Sequence, residues 1–128
     1  MAEQIIEFVK KRYFFQVTTP DQSYPLTFEL DRNIKIVRGL LMSADQPNMM
    51  FYRGTQQIVL NGLELFPAGY ESRLLMSGIS IPPDEKFADL GDVLAGNGEL
   101  KLNYVDADNP IQYFNPYIVS IYLNCILA

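Results

Sequence analysis

The chain has 128 residues, 48% of them hydrophobic and 20% charged, which is the size of one domain and too apolar for a disordered one. It holds no His, no Trp and one Cys, which removes His-based triads, the usual zinc sites and any intramolecular disulfide. The net charge of −5 arises entirely in residues 67–128, with three basic and eight acidic side chains against seven of each in residues 1–66, so the phosphate neutralisation that nucleic-acid binding needs is missing.

The chain begins Met1-Ala2-Glu3-Gln4, acidic and polar, unlike the basic start and long apolar run of a signal peptide. No apolar stretch reaches the length of a membrane span. Ile5, Ile6, Phe8 and Val9 fit one turn of amphipathic helix, and Tyr13 to Thr19 is aromatic and β-branched, which favours strand. Residues 1–11 are therefore a candidate N-terminal arm, with a helical turn or an edge strand as the alternatives. Tyr24 to Leu30 alternates, with Leu26, Phe28 and Leu30 on one face. After the Asp31-Arg32-Asn33 turn, Ile34 to Ser43 places Ile34, Ile36, Leu40 and Met42 in one phase, broken at Arg38, as in a strand covered on both faces.

Met49-Met50-Phe51-Tyr52 is a short apolar run after a polar loop, ended by Arg53-Gly54-Thr55. Ile58-Val59-Leu60 and Leu63-Glu64-Leu65 flank Asn61-Gly62, the strongest local signal for a two-residue type I′ hairpin. Pro67-Ala68-Gly69 reads as the next turn and Arg73 to Ile81 as a further strand. Lys86 to Val93 reads as irregular or as a helical turn. Leu100 to Tyr104 alternates, Asp106 to Pro110 forms a turn, Ile111 to Phe114 a short strand, and Tyr117 to Leu127 the longest strand. About eight strands at regular turn spacing predict an all-β fold, an antiparallel β-sandwich occupying residues 1–128 as one domain. A single jelly roll is the first choice and an immunoglobulin-like sandwich the second.

Candidate chemistry is sparse. Asp106, Asp108 and Asn109 could offer oxygen ligands to Ca²⁺, but such residues populate turns because their side chains bond nearby amides. Asp84, Glu85, Asp89 and Asp92 could supply a carboxylate pair for glycoside hydrolysis, against the simpler reading of a solvated loop. Gly96-Asn97-Gly98 lacks the Lys-Ser/Thr and the strand-to-helix setting of a phosphate loop. Cys125-Ile126-Leu127-Ala128 fits a prenylation pattern, but Cys125 lies in an apolar β-rich run that predicts a buried strand thiol. The sequence thus predicts no catalytic residue, cofactor, metal or small-molecule substrate. The candidate interface residues are Ile5, Ile6, Phe8 and Val9 of the arm with Met49, Met50, Phe51 and Tyr52 of the apolar run, whose burial would instead make them ordinary core.

In length, in its N-terminal segment Met1–Arg12, in the Asn61-Gly62 hairpin and in the β-rich end Tyr117–Ala128, the chain resembles the small single-jelly-roll virion proteins of tailless icosahedral phages, of the penton or minor capsid type. The resemblance implies a non-enzymatic subunit of a homo-oligomer, commonly a pentamer, whose loops and arms contact other particle proteins in the virion. The alternative is a glycan- or protein-binding β-sandwich module.

Overall fold

The computed structural model describes residues 7–76 and 87–127. Eight strands form: β1 (Glu7–Val17), β2 (Ser23–Glu29), β3 (Ile34–Ala44), β4 (Gly54–Leu60), β5 (Leu63–Glu71), β6 (Ala88–Leu94), β7 (Glu99–Asp106) and β8 (Tyr117–Leu127). A short helix α1 (Pro47–Arg53) joins β3 to β4, and a 3-10 turn over Ser72–Leu75 follows β5. The strands make two antiparallel sheets in the orders β1-β8-β3-β6 and β2-β7-β4-β5. That order interleaves the first and last strands with the middle ones, as the two Greek keys of a single jelly roll do.

Period-two alternation builds the core. Phe15 and Val17 of β1, Leu100, Leu102 and Tyr104 of β7, and Tyr117, Val119, Ile121, Leu123 and Cys125 of β8 all point inward and are buried. Cys125 is a reduced thiol with no exposure, and burial pushes its pKa up to about 11. In β3 the phase slips. Register shifts fall between Ile34 and Ile36 and between Val37 and Gly39, so Val37 is buried in place of the expected Ile36.

Several elements differ from the sequence expectation. Residues 7–11 take the edge-strand alternative: they are the start of β1, paired to β8 in unbroken register from Glu7↔Leu127 to Val17↔Tyr117. The arm's earlier residues, Ile5 and Ile6 among them, lie outside the described residues. Met49-Met50-Phe51-Tyr52 belongs to α1, because Pro47 fixes the φ of the first turn and Met49 and Met50 turn into the core. The expected turn at Pro67-Ala68-Gly69 is instead an irregularity within β5, where Gly69 takes a φ of +85°. Residues 72–75 form a 3-10 turn rather than strand, and the rest of the expected strand to Ile81 falls mostly outside the described residues. The 86–93 segment forms β6 from Ala88, although Gly91 and Asp92 carry positive φ values. Pairing with β3 overrides its weak local preference. Residues 111–114 form no strand.

Successive strands run in opposite directions, so the C-terminal ends of β1, β3, β5 and β7 lie at one end, called here the loop end. The tighter turns gather at the other. There Leu30 donates its amide to the Gly98 carbonyl (2.8 Å) and Asn61 to the Glu99 carbonyl (3.0 Å). The Asn61-Gly62 hairpin joins Leu60 to Leu63, with φ of 51° and 77°. No atom lies within 4 Å of a β-carbon built on Gly62, so its backbone conformation is what resists substitution. Gly62→Val is therefore expected to lower stability by about 1–3 kcal/mol, through backbone strain alone. Urea unfolding with an unchanged midpoint would contradict the turn assignment.

Candidate functional site

The loop end is organised by a buried ion pair. Arg53 closes α1 and Asp106 closes β7, and their side chains are 1% and 0% exposed. Asp106 shares the inward phase of Leu100, Leu102 and Tyr104, so alternation alone turns its carboxylate into the sandwich. Arg53 shares the inward face of α1 with Met49 and Met50. The guanidinium donates Nε to Oδ1 of Asp106 (3.2 Å) and Nη2 to Oδ2 (3.0 Å), a two-pronged contact that suits its planar fork. These hydrogen bonds hold the Arg53 pKa above its ordinary value.

Both groups have further partners. Asp106 accepts the Tyr117 hydroxyl on Oδ1 (2.8 Å) and the Asp21 amide on Oδ2 (3.1 Å). Arg53 Nη1 donates to the Gln112 carbonyl (3.0 Å) and approaches Oδ1 of Asp108 at 3.4 Å. Its guanidinium lies 5.4 Å from the centre of the Phe114 ring. The main chain adds Ala107 N–H to the Arg53 carbonyl (2.9 Å) and Asp106 N–H to the Gln22 carbonyl (3.0 Å). One ion pair thus ties together the β1–β2 turn, α1, the β7–β8 loop and the start of β8.

A chain of hydroxyls continues inward. The Tyr117 and Tyr104 hydroxyls lie 2.8 Å apart, and burial raises the pKa of both phenols. Ser72 donates its hydroxyl to the Gln56 side-chain carbonyl. Gly54 must be glycine here. A β-carbon on it would crowd the Tyr104 hydroxyl and come within 2.7 Å of Ser72 Oγ and 2.9 Å of the Met50 carbonyl.

The outer surface of the loop end carries four exposed apolar side chains among polar ones such as Asp108 and Asn115. Phe51 and Tyr52 project from α1 with exposures of 42% and 40%, their rings in edge contact at 4.9 Å. On the β7–β8 loop Ile111 is 70% exposed and Tyr113 83%. That loop is fixed to α1 by the Asn109 side chain, which donates to the Tyr52 carbonyl (2.9 Å) and accepts the Ile111 amide (2.8 Å). Between them lies an open cleft of ≈ 340 Å³ whose walls include Tyr52, Glu71, Arg73, Asp108 and Asn109.

Of the sequence-predicted interface residues, Phe51 and Tyr52 are on this surface. Met49 and Met50 are not: both are core, 3% and 0% exposed, because they plug the sandwich beneath the helix. Phe8 is exposed on the outer face near the start of β1, at the opposite end of the sandwich, and Val9 turns inward against the core. The arm and the apolar run therefore do not form one site. Asp106, read as a turn residue and calcium candidate, is taken up by Arg53. No cluster of three or more metal-ligating side chains occurs among the described residues. No helix among them is long and apolar enough to cross a membrane. Ile111 and Tyr113 fall in the expected strand Ile111–Phe114, and the flanking Pro110 and Asn115-Pro116 are the local signs of a loop. Comparison with protein-family models, curated proteins and solved structures finds no match to this chain.

Removing one member of a buried ion pair leaves the other charge uncompensated. Asp106→Ala or Arg53→Ala is expected to cost about 3–5 kcal/mol. Arg53→Met combined with Asp106→Leu is expected to cost less than the sum of the single changes, because no lone charge remains. A double-mutant cycle by denaturant unfolding reads this, and additive costs would contradict a direct pair.

Proposed function

We propose that this chain is a non-enzymatic structural subunit of a multimeric assembly, of the kind that serves virions as a penton or minor capsid protein. Its partners are then further copies of itself, in a ring such as a pentamer, and other particle proteins. Its place is the virion, assembled in the host cytoplasm. The observation that carries the proposal is the set of exposed apolar side chains, Phe51 and Tyr52 on α1 and Ile111 and Tyr113 on the β7–β8 loop, on two elements that the buried ion pair joins. Large exposed aromatic and aliphatic side chains mark contact surfaces. Loops already ordered before contact lose less entropy on association, which suits an assembly subunit. The single-jelly-roll strand order agrees with the size-and-texture resemblance.

A second reading, a glycan- or protein-binding module, is favoured by the cleft beside Tyr52, where an aromatic ring adjoins Glu71, Arg73, Asp108 and Asn109. Sugar recognition combines such a ring with polar side chains.

Sedimentation separates the two. The assembly reading expects the chain to sediment as a multimer, and Ile111→Ser with Tyr113→Ser to shift it toward monomer at an unchanged melting temperature. A monomer that binds glycans on an array, and loses them on Tyr52→Ala, would overturn the assembly reading in favour of the module.

A further inference from the structure

The two sheets have four edge strands, β1 and β6 in one and β2 and β5 in the other. Exposed edges offer unpaired backbone groups, and proteins commonly interrupt them. Three of these edges are interrupted. β2 contains Pro25, which cannot donate to a neighbouring strand. β5 contains Pro67 and the positive-φ Gly69, and its register to β4 shifts twice. β6 contains Gly91 and Asp92, both at positive φ, with a register shift against β3. β1 has no proline, glycine, positive φ or register shift along its 11 residues. Among the described residues it pairs with β8 alone.

We infer that the outer edge of β1 is a self-pairing surface, where β1 of a second copy adds antiparallel across a two-fold axis and joins two four-stranded sheets into one. The inference adds to the assembly reading a two-fold contact distinct from the contacts that close a ring, and rests on that reading for the presence of a second copy. The sequence of β1 selects the occupant and the register. In a two-fold antiparallel pair one residue sits opposite itself, and opposed residues share a face. Centring the pair on Arg12 opposes two like charges at the axis, and centring it on Lys11, itself paired with Asp31, sets Arg12 opposite Lys10 on both sides, which is destabilising; centring it on Lys10 pairs a shorter length of strand. Centring it on Tyr13 opposes no like charges and pairs the whole stretch from Val9 to Val17. Centring it on Phe14 or Val9 pairs a shorter length of the described strand.

In the Tyr13 register Arg12 of each copy faces Phe14 of the other. Both side chains point outward, Phe14 is 58% exposed, and the Arg12 guanidinium already lies 4.5 Å from the centre of its own Phe14 ring. Across the axis the same cation–aromatic attraction would be made twice, once in each direction. The basic run Lys10-Lys11-Arg12 thus acts as a register filter, excluding the slipped pairings that an otherwise uninterrupted edge would permit.

The test uses the full chain with single substitutions on the outer face of β1, and each variant's melting temperature is measured first, because Arg12 also donates to Ser120 Oγ (3.2 Å). Arg12→Cys and Phe14→Cys chains are mixed and oxidised with glutathione disulfide. The expected result is a cross-linked dimer from the mixture and little from either chain alone, because directly opposed residues approach disulfide distance and diagonal ones do not. Cys125 is fully buried and stays out of the reaction. Cross-linking of Phe14→Cys with itself would overturn the register. In sedimentation, Phe14→Lys is expected to weaken self-association by roughly ten-fold, since two like-charged pairs then meet, and Phe14→Glu to strengthen it. Self-association that persists with no cross-link, and with equal behaviour of the Lys and Glu variants, would overturn the β1 contact and leave the assembly reading intact. A wild-type chain that never self-associates would overturn both.

Discussion

Where α1 meets the end of β7, an arginine and an aspartate face each other with almost no access to water. Neither charge could stay there alone, because burying an unpaired ion costs several kcal/mol. Each therefore fixes the other, and each is fixed by its own element: Arg53 by the face of α1 that also carries Met49 and Met50, Asp106 by the alternation of β7. The remaining valences of the pair are spent on the loops. The Asp21 amide, the Gln112 carbonyl, the Tyr117 hydroxyl and the Asp108 carboxylate all turn toward it. A connection as long as the one between β7 and β8 would otherwise be expected to wander.

The rest of the molecule divides around that end. The sheets supply an apolar core, and the far end is closed by tight turns. One flank carries the interrupted edges of β5 and β6, while the other sets β1 beside the proline-containing β2. Two of the places with outward apolar side chains are the loop end, with Phe51 and Tyr52 on α1 and Ile111 and Tyr113 on the β7–β8 loop, and β1, where Phe8 and Phe14 lie on the outer face; Leu63, Leu74 and Leu94 are exposed as well. Those two places carry the proposed contacts of an assembly subunit, one through side chains and the other through the backbone edge.

Much of the sandwich was legible locally. Leu26, Phe28 and Leu30, or Leu100, Leu102 and Tyr104, alternate so regularly that strand and inward face are both readable. Asn61-Gly62 specifies its turn through its own backbone preferences. What failed was decided by partners distant in sequence. β6 contains Gly91 and Asp92, poor strand formers, and exists because β3 lies beside it. α1 is too short to show a helical period, and its two methionines fit surface and core equally until the core they fill is known. The central pair joins residues 53 apart in sequence, which no local pattern connects. One sign of it lies in the sequence: Asp106 continues the inward phase of β7, and a carboxylate on a buried face needs a cation or hydrogen-bond donors.

Native-state hydrogen exchange tests most directly whether the ion pair orders the loop end. The amides of Asp21, Asp106 and Ala107 donate to Asp106, Gln22 and Arg53, all within the clamp. If Arg53 and Asp106 hold the loops, these three amides exchange only through global unfolding, at the same free energy as the central amides of β8. Exchange of the three at the rate of an open loop, while β8 stays protected, would contradict the claim that the ion pair orders this end of the molecule.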